Sequence, residues 1–322
     1  MQSIIKYICP KTKIPLNKDK EGNLWCLNGK NYIYYKNYDL CIDFVGSSCN
    51  NEIAYYNEIY KKKIKSPDFQ NLQHYWNGKI WPQNKIVFDN LPYLKDKIIL
   101  LVGNGISEKE FFFLNFGAYL IYSDISLVAM LFMKNAFDTS ILFEKYRNRI
   151  VFHAIDALNL PFPDESIDLI YGYALVHHFK NPSRFFSEIH RVLKKRGEGI
   201  FMDDAYSPIW QFLKNTIFKP LQKYSHKKHG ISPEDLWATR RGGFKRKILE
   251  KYLEKFKLEI CTFTRVAFFS YLYSRGIEKL FGNKKILKSG IPIFNYIDAL
   301  LAKNSRIFME NQIRLIWGLK KV

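Results

Sequence analysis

Ile98-Ile99-Leu100-Leu101-Val102-Gly103-Asn104-Gly105, followed by Ser107-Glu108-Lys109-Glu110, is the run that decides the fold. Five apolar residues without alternation predict a strand buried on both faces. Two glycines end it, and Ser107 with Glu110 has the S-x-x-E spacing of a capping box, which predicts a helix through Phe116. A strand that turns through glycines into a helix lets a ligand approach bare backbone at a helix N-terminus. A second strand, residues 118–123, ends at Asp124, at about the 20-residue spacing where a carboxylate grips a ribose diol. The pair points to a nucleoside cofactor.

Outward from this run the pattern alternates. Ile150–Ile155 and residues 167–174 are the third and fourth strands. Asn181-Pro182 supplies an N-cap and a first-turn proline for a helix to Lys195 that buries Phe185, Phe186, Ile189, Val192 and Leu193. Residues 199–202 are a fifth strand. After a break at 205–243, residues 244–256 form an amphipathic helix with Ile248, Leu249, Tyr252, Leu253 and Phe256 on one stripe. Residues 258–264 and 311–319 are the last two strands, with a helical, aromatic stretch at 266–306 between them. The expected fold is α/β, a doubly wound, Rossmann-like, seven-stranded sheet over residues 96–322. The inserts 205–243 and 266–306 should emerge over its active-site face. Residues 1–46 form a small β-rich module, and residues 47–95, broken by Pro67, Pro82 and Pro92, form connecting helices and loops.

At 322 residues the chain can bury a full core, and 47% apolar with 25% charged residues is the composition of a globular protein. The net charge of +20 admits RNA or an anionic membrane surface as partner, although the lysines are scattered rather than blocked. Cys9, Cys26, Cys41, Cys49 and Cys261 are odd in number and include no CxxC pair, which argues against a disulfide framework and a closed zinc site. No signal peptide and no transmembrane helix are expected, and a reducing cytoplasm is the expected location.

A third segment is more specific: His153-Ala154-Ile155-Asp156-Ala157-Leu158-Asn159-Leu160-Pro161-Phe162. A strand ends at Asp156, whose carboxylate can accept from an exocyclic amine, while the next backbone N–H, of Ala157, can serve a ring nitrogen. Together they recognise adenine. Val102-Gly103-Asn104-Gly105, Tyr122-Ser123-Asp124-Ile125-Ser126, Asp156 to Phe162, His177-His178-Phe179 and Glu188 to Lys194 occur in an order and spacing that resemble a class I S-adenosylmethionine-dependent methyltransferase, type 11-like, over residues 96–204. The resemblance implies S-adenosyl-L-methionine as cofactor. It implies that Gly103 and Gly105 lie against the methionine part and ribose, that Asp124 binds the ribose hydroxyls, and that Asp156 and Ala157 hold the adenine. Tyr171 and Gly172 would lie near the cofactor's amino-acid end. Two positions depart from the family: Leu101 stands where an acidic residue is usual and Ser107 where a third glycine is usual. Leu101 cannot anchor the loop or the cofactor's ammonium, so either affinity is reduced or another carboxylate compensates.

His177 and His178 follow the fourth strand at the expected methyl-transfer point. Either could act as general base, with His178 favoured, or only pack the loop. Asp203 and Asp204, ending the fifth strand, could orient a substrate or cap the chain entering the insert. The N-terminal stretch resembles the zinc ribbon that precedes some bacterial methyltransferase domains. Thr12 and Gly29 replace the second knuckle cysteines beside Cys9 and Cys26, so the ribbon is degenerate and no metal is expected. The inserts carry Trp210, Phe212, Tyr224, Trp237, Arg240 and Arg241, then Phe268, Phe269, Tyr271, Tyr273, Arg275, Lys279, Phe281, Lys284 and Lys285. That composition suits an anionic acceptor with apolar or ring character. The expected function is methyl transfer to a small-molecule or lipid-linked, sugar-type acceptor at oxygen. RNA methylation and a non-catalytic protein that kept the fold are the alternatives.

Overall fold

In the computed structural model of the chain, the structure describes residues 4–46, 51–62, 67–77, 81–213, 215–216, 243–273 and 284–322. The strands are β1 (Asn17–Lys18), β2 (Leu24–Asn28), β3 (Asn31–Tyr35), β4 (Asn37–Tyr38), β5 (Cys41–Asp43), β6 (Ile98–Val102), β7 (Tyr119–Asp124), β8 (Ile150–Ala154), β9 (Ile167–Tyr173), β10 (Leu193–Asp204), β11 (Leu258–Val266) and β12 (Arg314–Lys321). β1, β2 and β3 form a small antiparallel sheet. The main sheet runs β11-β12-β10-β9-β6-β7-β8-β5-β4. Strands β5 to β10 pair in parallel, while β12 is antiparallel to both β10 and β11. From β6 the chain winds one way to β7 and β8, then returns to β9 and β10. The switch point therefore lies between β6 and β9, and ligands bind at the carboxyl ends of strands there.

Seven of these strands are the expected sheet. The sheet has nine because residues 37–43, expected to stay with the N-terminal module, join its edge. Cys41 and Ile42 are buried and apolar, and β5 pairs Cys41 with Phe152, Ile42 with His153 and Asp43 with Ala154.

The helices are α1 (Asn51–Lys62), α2 (Pro82–Asp89), α3 (Leu127–Asp138), α4 (Phe143–Tyr146), α5 (Ser183–Val192), α6 (Pro208–Leu213), α7 (Arg246–Glu254), α8 (Lys284–Asn304) and α9 (Arg306–Glu310). Alternate residues of β6 feed opposite cores. Leu100 and Val102 pack with Phe185, Ile189 and Phe201, and Ile99 and Leu101 pack with Phe111, Phe113, Tyr122 and Met133. Burial on both faces is why the run shows no alternation. Ser126 caps α3 by accepting from Ala129 N at 3.2 Å.

The expected capping-box α-helix is instead a 3₁₀ helix, Lys109–Phe116. The Ser107 hydroxyl donates to Glu110 Oε2 at 2.7 Å, so it holds a side chain rather than a helix N–H. Phe111, Phe112, Phe113 and Leu114 are all buried, an unbroken apolar run that gives no 3.6-residue stripe. Asn181 Oδ1 accepts from Ser183 N at 3.0 Å, as a turn just ahead of α5. That helix stops at Val192, and β10 starts at Leu193, well before the strand expected at 199–202.

His153 joins the N-terminal segment to the sheet. Ile42 N donates to its Nδ1 at 3.2 Å, so Nε2 carries the proton and donates to the Tyr7 hydroxyl at 2.7 Å. Burial lowers its pKa to about 3. The folded value lies below the unfolded one of about 6.5, so the unfolded chain takes up the proton first as pH falls. Stability from neutral His153 is present above that unfolded value and is lost as pH falls toward 3. His153→Gln will therefore flatten the stability–pH slope between these limits by up to about 1.4 kcal/mol per pH unit. Urea midpoints measured across that range check this, and an unchanged slope would refute it.

Candidate active site

Gly103 and Gly105 both take left-handed backbone conformations, with φ of 61° and 53°. A Cβ on Gly103 would meet Leu175 Cδ1 at 2.6 Å, and one on Gly105 would collide with the Tyr60 hydroxyl of α1. The left-handed conformation favours glycine at both positions. Across the turn, Asp124 ends β7. Its Oδ2 accepts from Gly105 N at 2.8 Å and its Oδ1 from Ser126 N at 2.9 Å. It is 6% exposed, and burial pushes its pKa up to about 6. Ser126 also donates to Asn57 Oδ1 of α1 at 2.6 Å, which sets that helix over the strand ends.

The turn is held from beneath. The Tyr122 hydroxyl donates to Ser107 O at 2.7 Å and accepts from Ser107 N at 3.0 Å. Glu110 is fully buried, and its Oε2 accepts from Asn104 Nδ2 at 3.2 Å as well as from Ser107. Lys109 Nζ lies 3.2 Å from Glu110 Oε1 and 3.5 Å from the centre of the Tyr173 ring. Among the described residues Asn104 Oδ1 is buried without a hydrogen-bond partner, while the Glu110 carboxylate is ion-paired with Lys109 and lies within hydrogen-bonding reach of the Tyr171 hydroxyl.

Tyr171 and Gly172 lie inside the sheet rather than at its open end. Tyr171 packs edge-on to Phe113 at 5.8 Å, and burial, then the charge of Glu110, raises its pKa. A Cβ on Gly172 would stand 2.8 Å from Phe201 Cδ1, so that glycine makes room for a core ring. Asp156 and Ala157 lie beyond β8, half-buried. Asp156 Oδ1 accepts from Leu158 N at 2.9 Å and its Oδ2 from Asn159 Nδ2 at 2.6 Å, which fixes the loop.

At the open ends of β9 and β10 a second cluster forms. His177 Nδ1 donates to Asp203 Oδ1 at 2.8 Å, and Trp317 Nε1 donates to Asp203 Oδ2 at 3.3 Å. Burial disfavours the charged His177, but the hydrogen bond and charge of Asp203, aided by Asp204, raise its pKa. His178, its ring 4.3 Å away, is lowered to about 4 by burial and then by His177. Asp204 accepts from Arg314 Nη1 at 2.6 Å, and Arg314 lies over the Tyr271 ring at 5.0 Å. Sequence reasoning read Glu110 only as a cap and did not single out Arg314, whose place beside Asp204 follows from the pairing of β10 with β12.

The described parts of the inserts follow the ends of β10 and β11. Asp298 of α8 is buried and accepts from the N–H groups of Phe268, Phe269 and Ser270 at 3.0, 2.8 and 3.0 Å, capping a helical stretch at 269–273. Trp210 of α6 meets Tyr271 edge-on at 5.6 Å. Tyr224, Trp237, Arg240, Arg241, Arg275, Lys279 and Phe281 of the expected roof lie outside the described residues, as do the side chains of Lys284 and Lys285. In the N-terminal segment, Cys9 Sγ is 3.1 Å from the Tyr35 hydroxyl, and Thr12 bridges toward Cys26 Sγ at 3.9 Å. Among the described residues no three His, Cys, Asp or Glu side chains gather as a metal site, and no helix is long and apolar enough to cross a membrane.

Residues 100–201 match the family model of a methyltransferase domain. Among solved structures the chain is similar to geranyl diphosphate C-methyltransferase from Streptomyces coelicolor A3(2), at 11% identity and TM-score 0.52, covering 85% of this chain and 99% of that one. It is similar to a structure from Galdieria sulphuraria described as a sarcosine dimethylglycine methyltransferase, at 15% identity and TM-score 0.50, covering 84% and 97%. A Haemonchus contortus phosphoethanolamine N-methyltransferase matches at 15% identity and TM-score 0.47, covering 81% of this chain; the chain spans 61% of that protein's length. No curated protein matches the sequence. The Rossmann-like sheet expected from the glycine run is the fold found.

Proposed function

We propose that this chain, with a methyltransferase domain at residues 100–201, transfers a methyl group from S-adenosyl-L-methionine to a small-molecule or lipid-linked, sugar-type acceptor at oxygen. The observation that carries the reading is the hydrogen bond from Gly105 N to Asp124 across the switch point. It brings a turn flanked by two glycines and a carboxylate together where a ribose would lie. The left-handed backbone at both glycines, which keeps side chains off those two positions, supports close approach of a ligand to the backbone.

In this reading the cofactor supplies an electrophilic methyl group. Gly103 and Gly105 admit its ribose and methionine part, Asp124 binds the ribose hydroxyls, and Asp156 with Ala157 N–H receives the adenine. Tyr171 and Gly172 support the turn from inside the sheet. His177 is the better general base than His178. Asp203 holds the Nδ1 proton, which makes Nε2 the basic nitrogen, and the Asp203 carboxylate would stabilise the imidazolium formed when His177 takes the acceptor's hydroxyl proton. His178, with a pKa of about 4, is neutral at pH 7 but a weak base. Asp204 acts through Arg314, holding that cation at the strand ends, where it would suit an anionic acceptor.

A thermal titration with S-adenosylhomocysteine tests the reading. At about 100 times the dissociation constant, stabilisation of about 2.7 kcal/mol is expected. No stabilisation of the folded protein at millimolar ligand would sink it. The net charge of +20 favours a second reading, an RNA acceptor, which retention on RNA that falls steeply with salt would support.

A further inference from the structure

We infer that the outer face of α8 rests on an anionic lipid surface, the source from which a lipid-linked acceptor would reach the strand-end site. The inference deepens the lipid-linked reading of the acceptor and rests on it for what enters that site. Ile293, Tyr296 and Leu300 recur at i, i+3 and i+7 of α8, which is one stripe of the helix. They are 62%, 69% and 48% exposed. The opposite stripe is the inner one. Ile291 and Asp298 are buried there, and Asp298 accepts from the N–H groups of Phe268, Phe269 and Ser270. The helix therefore turns its carboxylate inward and leaves three large apolar side chains outward, the reverse of a helix whose free face meets water.

Charge selects the occupant. α8 carries Lys284, Lys285, Lys288 and Lys303, and its one acidic residue is the buried Asp298, so no carboxylate of this helix faces outward. In α9, Arg306 pairs with Glu310, and Ile307 beside it is 72% exposed. An outward apolar stripe that includes a tyrosine, on a helix whose other charges are all lysines, suits the headgroup region of an anionic bilayer. A second copy of the chain suits it poorly, because that copy brings the same lysines and a net charge of +20. RNA would answer the lysines but leave the apolar stripe in water. Among the described residues no helix is long and apolar enough to cross a bilayer, which leaves α8 to lie on its surface. The face is also joined to the site. The stretch that Asp298 holds continues to Tyr271, whose ring lies 5.0 Å from Arg314, the partner of Asp204.

Sedimentation of the full chain with vesicles tests this. Vesicles of phosphatidylcholine and phosphatidylglycerol in equal parts should bind the wild-type chain at least about 10-fold more tightly than phosphatidylcholine alone. Ile293→Gln, Tyr296→Gln and Leu300→Gln together keep the charge and place a good helix former at each position. They should weaken binding to the anionic vesicles by about 10- to 100-fold. Lys303→Gln, a milder change, should weaken it by about fivefold. No binding of the wild-type chain to anionic vesicles overturns the inference. Binding that the triple variant keeps unchanged also overturns it, because bulk charge alone then holds the protein. A wild-type dimer that the triple variant dissolves assigns the face to a second copy and overturns it as well. Titration with S-adenosylhomocysteine, without vesicles, should be the same for the wild type and the triple variant. A wild-type chain that binds vesicles but not this ligand keeps the lipid face and loses the methyltransferase reading. One that binds the ligand but not the vesicles loses the lipid face alone.

Discussion

Asp124→Ala will weaken S-adenosylhomocysteine binding by at least about 100-fold, because hydrogen bonds to a charged partner are worth about 1.5–3 kcal/mol each and two ribose hydroxyls are served. The carboxylate is held ready: Gly105 N and Ser126 N fix one oxygen each, and each oxygen keeps a lone pair for a hydroxyl. Its pKa, raised by burial to about 6, gives the prediction a second signature. The folded value exceeds the unfolded one of about 3.9, so the folded state gains relative stability as the group protonates on acidification. At pH 7 the buried charge is instead a cost. Removing the carboxylate relieves that cost and forfeits two backbone hydrogen bonds, so the variant's stability without ligand should change little. Wild-type affinity will fall as pH drops below about 6, while the variant's will not follow it. Calorimetry at neutral and acidic pH checks both. Unchanged affinity at pH 7 would refute the ribose assignment.

Trp317→Ala will cost about 3–5 kcal/mol of folding stability. The ring is fully buried in β12, stacked on Phe201 at 4.6 Å and edge-on to Phe186 at 6.1 Å. Few positions join so much of the core to the site, since its Nε1 also donates to Asp203. Trp317→Phe separates the two contributions. It keeps an aromatic ring against Phe201 but leaves Asp203 short of a donor, and should cost less than the alanine variant. Urea unfolding of both variants measures the difference, and a loss below about 1 kcal/mol for the alanine variant would refute the packing argument.

The parts of the fold that were legible are those in which one residue type has one physical reading. Residues 98–102 are apolar at every position because both faces of β6 are covered, and Gly103 and Gly105 stand where φ is positive. β5 was not legible, because Cys41-Ile42-Asp43 is too short to show a period and its partner is remote. The 3₁₀ helix was hidden because Phe111 to Leu114 are buried without a stripe. In the site, the paired strand ends make the difference. His177 and Asp203 meet because β9 and β10 are neighbours, which the order of strands implies, but nothing in His177-His178 says which ring faces the carboxylate. Arg314 belongs to an antiparallel strand that enters from the opposite direction, so only its pairing with Asp204 reveals it. Glu110 satisfied a local helix-start pattern so well that its burial was not suspected.

The pairing of β5 with β8 also sets a timetable. Ile42 and His153 are 111 residues apart, and ribosomes add about 5–20 residues per second. The early segment therefore waits roughly 5–20 s for its partner to be made. During that interval a hydrophobic strand could recruit the wrong neighbour, as unpaired edges do. With only three residues in β5 and two in β4, this one offers little for a stranger to hold. The feature that made the strand invisible in the sequence is also what makes its long wait safe.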